Sequence, residues 1–202
     1  MRLVHELSFQ YDSYFRIMQM NKKTIAIFGI IVAAALTRLI PHPMNFAPLG
    51  AMALFGSAYL GRKGVGLLVT MVAWMISDLL LNNLVYSSGG FTLFTDGAIF
   101  IYGSIALIYL LGSKLLSKVT LGRMLGGSIA ASAIFFIVSN FGVWAGGTMY
   151  PMSIDGLIAC YAAAIPFFQN TLAGDLVYSL ALFMLYEKIF KAQLISQKVE
   201  SK

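Results

Sequence analysis

The chain has 202 residues, 59% of them hydrophobic and only 11% charged, with a mean hydropathy of +0.81. A soluble domain carries about 25% charged residues, and at about 20 residues per spanning helix this length holds at most about eight helices, which excludes a separate soluble catalytic domain beside the membrane part. The net charge of +6 would suggest nucleic acid in a soluble protein, but the placement of the basic residues gives it another meaning.

Residues 1–23 are mixed in polarity, with Arg2, His5, Glu6, Asp12 and Arg16, and have no uninterrupted apolar core of the signal-peptide kind. They read as a cytosolic or interfacial leader, and Met20, ahead of Asn21-Lys22-Lys23, is an equally good start. From Thr24 the apolar runs fall into six groups, 24–40, 47–61, 65–82, 97–113, 122–140 and 165–187, each bounded by charge, Gly or Pro. The expected fold is an all-α integral membrane protein with a six-helix domain over 24–190 and a cytosolic tail over 191–202. The second run is short and rich in small residues, which suits a helix wedged between others rather than one facing lipid.

Lys and Arg collect on the cytoplasmic side of a membrane protein. With six spans and both termini cytoplasmic, thirteen of the fourteen basic residues fall on one side, and Arg38 is the exception. The excess positive charge therefore records orientation and carries no hint of nucleic acid. The outer segments Pro41–Pro48, Asn82–Asp96 and Phe141–Ile165, with the adjoining helix ends, hold all five prolines and five of the six asparagines. Irregular backbone at membrane depth survives where protein or a water-filled cavity satisfies its polar groups, so the outer face is where a specific surface is expected.

Three ionisable residues, Arg38, Asp78 and Asp175, sit inside the runs. Counted from the cytoplasmic ends at 1.5 Å per residue, all three lie about 20 Å up, in one layer of a core about 30 Å thick. Two readings follow. Arg38 pairs with one carboxylate and locks the helices while the other snorkels outward, or the layer is the polar floor of an outward-facing cavity whose charges also touch a ligand. Aromatic residues, among them Phe46, Tyr86, Phe91, Phe94, Phe141, Trp144, Tyr150, Tyr161, Phe167 and Phe168, crowd the same side. Some form an interfacial belt and others a pocket wall, where Asn45, Asn140, Gln169, Asn170 and Thr171 are the placed polar groups.

No metalloprotease, nucleophile-elbow or phosphate-loop signature is present, so neither enzymatic activity nor a cofactor is expected. Two histidines, His5 and His42, with the single Cys160, are too few for a transition-metal site. One cysteine also excludes an internal disulfide, and Cys160 reads as a small packed residue near the outer surface. Small residues at four-residue spacing, Gly29/Ala33, Ala53/Ser57/Gly61 and Gly126/Ala130, permit close helix contact. The first helix, with Ala33-Ala34-Ala35, is the candidate face for a partner membrane protein.

At Arg38-Leu-Ile-Pro-His-Pro-Met-Asn-Phe-Ala-Pro-Leu-Gly-Ala51 the chain resembles an uncharacterised family of bacterial transport proteins related to the substrate-binding S components of energy-coupling factor (ECF) transporters. Further matching blocks are Ser77-Asp78-Leu79, Tyr102-Gly103-Ser104, Asn140 to Trp144, Met149-Tyr150-Pro151, Gly156-Leu157, Cys160-Tyr161 and Ile165 to Asp175. The resemblance implies a six-helix vitamin-capturing protein of the bacterial cytoplasmic (inner) membrane that binds its ligand from outside. It also implies docking through small residues of the first helix, here Gly29, Ala33 and Ala34, onto a membrane coupling protein driven by two ATPases. Cobalamin is the first substrate to consider, since a large, partly apolar ligand suits long aromatic loops.

The expectation is thus capture of a small organic nutrient by Arg38, Asn45, Asp78, Asn140, Trp144, Tyr150, Asn170 and Asp175. Trp144 and Tyr150 would stack on it, the asparagines hydrogen-bond it, and the three charges form the floor. The alternatives are a solitary secondary transporter in which Asp78 or Asp175 takes up a proton, and a small membrane enzyme or assembly factor with the two aspartates as acid and base.

Overall fold

A computed structural model describes residues 23–60, 64–86 and 90–200 of the chain. The described residues are helical with no strand. The expected leader lies outside them, apart from Lys23.

The first helix, α1, covers residues 23–36 and is two-faced. Ile27, Ile30, Ile31, Ala34 and Ala35 are buried while Ile25, Val32 and Leu36 are exposed, the period expected of a helix with one packed side. It tightens into a 3-10 turn at Thr37–Leu39 and stops at Ile40, whose backbone is extended (ψ 135°). Pro41 explains the stop, because a proline ring disfavours helical geometry in the residue before it.

Helix α2 (Leu49–Tyr59) is apolar on all sides, and every residue from Leu49 to Ser57 is buried. A helix wedged between others is what its small residues suggested. Its 11 residues rise only about 16 Å, however, so the expected second span is a half-length helix whose N-terminus ends inside the bundle. Its start has a physical cause: Pro48 precedes it, and a side chain from another helix terminates it.

Helix α3 (Val65–Leu80) crosses α2 at two glycines. A Cβ at Gly66 would overlap the Gly56 carbonyl, so the backbones touch directly. α3 turns Val65, Leu68, Val72 and Ile76 outward and ends in a π-helical turn, Leu81–Val85. The asparagines there hold the following loop. Asn83 Nδ2 donates to Thr92 O (2.8 Å) while its Oδ1 accepts from Thr92 N (2.8 Å), and Asn82 Nδ2 donates to Thr95 Oγ1 (3.0 Å).

Helix α4 (Ala98–Leu115) and helix α5 (Leu121–Ala145) are joined by a short turn in which Thr120 caps α5, its hydroxyl accepting from Arg123 N. Helix α6 (Ile154–Glu200) is continuous for 47 residues with Pro166 inside it. The outer segment expected over Phe141–Ile165 is therefore irregular only at residues 146–153. Proline's fixed φ is compatible with a helix; Pro166 removes one backbone donor without ending the helix. Residues 191–200 of the expected tail continue α6.

Gly126/Ala130 is not the packing pair. Gly126 is exposed with nothing within 4 Å of its notional Cβ, and the buried face of α5 carries Gly127, Ser128, Ala131 and Ser132 instead. One residue along a helix is a rotation of about 100°, enough to exchange lipid-facing and packed positions.

Four helices are long and apolar enough to cross a bilayer: Val65–Val85, Ala98–Leu115, Leu121–Ala145 and Ile154–Ile189. Their outward stripes of Val, Leu and Ile agree with an α-helical membrane protein. Ser57 of α2 lies beside Gly112 near the end of α4, and Phe55 packs edge-on against Phe183 of α6 (5.3 Å). These contacts set the C-terminal end of α2 and the α4–α5 turn at one end of the bundle, with Lys114, Lys118, Arg123 and Lys188 exposed there.

Candidate functional site

The chain between α1 and α2 folds down into the bundle at the other end. Its backbone rests on α6 at Gly174, where a Cβ would stand 3.0 Å from Ala47 N. Asn170 Nδ2 donates to Met44 O (3.0 Å), Phe46 packs against Tyr178 (5.7 Å), and the Thr37 and Tyr178 hydroxyls share a 2.8 Å bond. Asn45 has a left-handed backbone (φ 64°), a conformation asparagine tolerates better than most residues.

The buried charges form two separate arrangements. Arg38 Nη2 is 2.7 Å from Asp78 Oδ1, its Nη1 donates to Ser77 Oγ at 2.5 Å, and its guanidinium lies 3.6 Å from the centre of the Trp74 ring. Trp74, Ser77 and Asp78 reach it together because they sit at i, i+3 and i+4 on α3. The expected pairing of Arg38 with one carboxylate is present, and Asp78 is the partner.

Asp175 does not snorkel. It is 1% exposed, in the middle of α6. Its Oδ2 accepts from Ser132 Oγ (2.7 Å) and its Oδ1 from the backbone N–H of Ala51 (3.2 Å). Ala51 is the third residue of α2, and Pro48 at the helix start offers no capping side chain. The orphan amides of a helix N-terminus carry partial positive charge; a carboxylate from α6 satisfies them here. Gly50 makes this possible, since a Cβ there would lie 2.6 Å from both Asp175 oxygens. Beneath Asp175, the Ser128 hydroxyl bonds Ser179 (2.8 Å) and continues the polar seam between α5 and α6.

Two cavities open above this layer. The deep one, about 230 Å³, is bounded by Arg38, Trp74, Thr171 and Asp175, with His42 and Tyr86 also on its wall. The wide one, about 600 Å³, has Phe136, Phe167, Phe168 and Met149 as apolar wall and Ser139, Asn140 and Asp96 among its polar groups. Asn45, Ile101, Phe135 and Thr171 line both.

Of the residues expected to carry function, Arg38 and Asp175 line the deep cavity, Asn140 the wide one and Asn45 both. Asp78 lies behind Arg38 as its counter-ion. Trp144, Tyr150 and Asn170 line neither cavity. Trp144 Nε1 donates to Pro151 O (3.0 Å) and Ser153 O (3.2 Å), which ties down the α5–α6 loop. Cys160 is packed, as expected, with its thiol 3.4 Å from Asn140 O. On α1, Gly29 and Ala33 are exposed, whereas Ala34 faces the core.

Sequence reasoning missed Gly50, Trp74, Ser77 and Ser132 as parts of this layer. Trp74 and Ser77 share a helical face with Asp78, so the spacing held a signal. Nothing in the sequence brings Gly50 or Ser132 to Asp175. Among the described residues no group of three metal-ligating side chains occurs.

Apolar helices around a buried polar layer, under two adjoining cavities, are those of an α-helical membrane protein. The model of a family of unknown function, DUF6580, matches residues 18–198. The chain belongs to that family. No curated protein and no solved structure matches it.

Proposed function

We propose that the protein is a membrane substrate-binding transport protein that captures a small organic nutrient from the outer face of a bacterial cytoplasmic membrane, with six helices and both termini inside. The observation that carries this reading is the pair of adjoining cavities over the Arg38–Asp175 layer, at the end of the bundle away from the exposed lysines. Ligand pockets are largely apolar with a few placed polar groups and measure about 300–1,000 Å³, and the two cavities together answer that description. The resemblance to ECF S components points the same way. The volumes favour a vitamin-sized ligand over a corrinoid such as cobalamin.

A thermal-shift screen of the purified protein against a broad vitamin panel tests the reading, with calorimetry on the hits. A ligand binding at micromolar or lower concentration is expected, weakened by Asn45→Ala and Asn140→Ala; no binding below millimolar across the panel would overturn it. Coupling to a membrane protein with an ATPase pair would use Gly29 and Ala33, the exposed members of the small-residue set. Mass spectrometry of the gently extracted protein would detect that partner.

A second reading, a solitary proton-coupled transporter, draws support from Asp175, a buried carboxylate without a cationic partner among the described residues. Uptake by proteoliposomes holding this protein alone, abolished by collapsing the pH gradient, would favour it.

A further inference from the structure

We propose that the ligand of the deep cavity is a small organic cation with a hydrogen-bond acceptor beside its charged nitrogen, the nitrogen lying against Asp175 and the acceptor against Trp74. The proposal rests on the reading of the cavities as a substrate site and adds the chemical class of the substrate.

The charges around the cavity decide the class. Arg38 is already committed, with a 2.7 Å ion pair to Asp78, a bond to Ser77 and its face on Trp74. An anionic ligand would have to compete with a carboxylate that is in place. Asp175 is in the opposite position: among the described residues it has no ion-pair partner, and its two hydrogen bonds come from a hydroxyl and a backbone amide. The N-terminus of α2 supplies about half a positive charge, which offsets part of the carboxylate and leaves the group short of neutral. When Asp175 is ionised, Arg38, Asp78 and Asp175 together carry one negative charge in excess at the wall of the deep cavity, and a cation is the complementary occupant. Thr171, one turn before Asp175, lines the same cavity, and its oxygen has acceptor capacity left after donating to Phe167 O at 3.3 Å.

The second observation is independent of charge. Trp74 is 4% exposed and lines the deep cavity, and its buried indole N–H has no hydrogen-bond partner among the described residues. A buried donor left unpaired costs about 1–3 kcal/mol, and an acceptor on the ligand that reaches it would recover that loss.

Two series, the first matched in its ring and the second not, test this on the wild-type protein by calorimetry. The first keeps one ring and changes its charge: 1-methylnicotinamide, nicotinamide and nicotinate. The second uses larger molecules: thiamine, riboflavin and biotin. In at least one series the cation is expected to bind tenfold or more tightly than the neutral member, with the anion weakest, and Asp175→Asn is expected to erase that preference. Should a neutral or anionic member bind best wherever binding is seen, the cavity is a substrate site but Asp175 does not select the ligand, and the inference fails alone. Should no member bind, the inference falls, and the broad vitamin screen decides whether the substrate-site reading falls with it. If Asp175→Asn does not fold, the wild-type series still decides.

Discussion

The carboxylate of Asp175 caps the N-terminus of α2 from across the bundle, its Oδ1 accepting the Ala51 N–H at 3.2 Å. A half-length helix buried on all sides cannot satisfy its first amides with water, and Pro48 brings no oxygen-bearing side chain. One residue of α6 thus terminates α2, fixes its height in the bundle and places a charge under the cavity.

Gly50 and Gly103 should respond to alanine with opposite signs. At Gly50 the new Cβ would meet both Asp175 oxygens at 2.6 Å, and overpacking with a disturbed carboxylate bond should destabilise by about 2 kcal/mol after the gain in helix propensity is counted. At Gly103 nothing lies within 4 Å, and alanine should stabilise by up to about 1 kcal/mol. Thermal unfolding in one detergent compares the two, and equal shifts would remove the capping argument.

Breaking the Arg38–Asp78 pair should cost more than deleting it. Asp78→Asn leaves a guanidinium buried over Trp74 without its counter-ion, an expected loss of about 3–5 kcal/mol. Arg38→Met with Asp78→Asn should recover a large part of that loss. If the double variant is as unstable as the separate losses of Arg38→Met and Asp78→Asn added together, the pair is not the unit described.

Ser132→Ala and Ser179→Ala distinguish a charged Asp175 from a neutral one. Ser132 donates to the carboxylate, whereas Ser179 bonds another hydroxyl. Losing a bond to a charged group costs about 1.5–3 kcal/mol and a neutral one about 0.5–1.5, so Ser132→Ala should be the more damaging. Equal unfolding losses would indicate that Asp175 carries a proton.

Asn170→Ala should loosen residues 41–48. Its side chain donates a 3.0 Å bond to Met44 O, so a loss of about 1 kcal/mol should appear as faster hydrogen exchange in that loop, with α4 and α5 unchanged. Unaltered exchange there would mean that the packing of Ala47 on Gly174 holds the loop without the asparagine.

The membrane class, the stretches of α3, α4 and α5 and the pairing of Arg38 with a carboxylate were legible in the sequence, because hydropathy and charge are properties of composition and spacing. The height of α2 and the length of α6 were not. Both were misread through proline: Pro48 opens a helix too short to span, while Pro166 is absorbed by one that continues past it. The asparagines and Trp144 were legible as unusual residues but not as what they contact, since Asn83 and Trp144 use their polar groups on nearby loops.

By itself the sequence determined that the chain is an apolar helical protein of the membrane kind with three charges inside its apolar runs, because burial in lipid and the cost of charge act on each residue type wherever it sits. Which carboxylate Arg38 would take, and what Asp175 would do without a cation, was decided by the crossing of α2, α5 and α6. That crossing depends on the absence of a side chain at Gly50 and the presence of a hydroxyl at Ser132, positions 82 residues apart, and no local pattern links them.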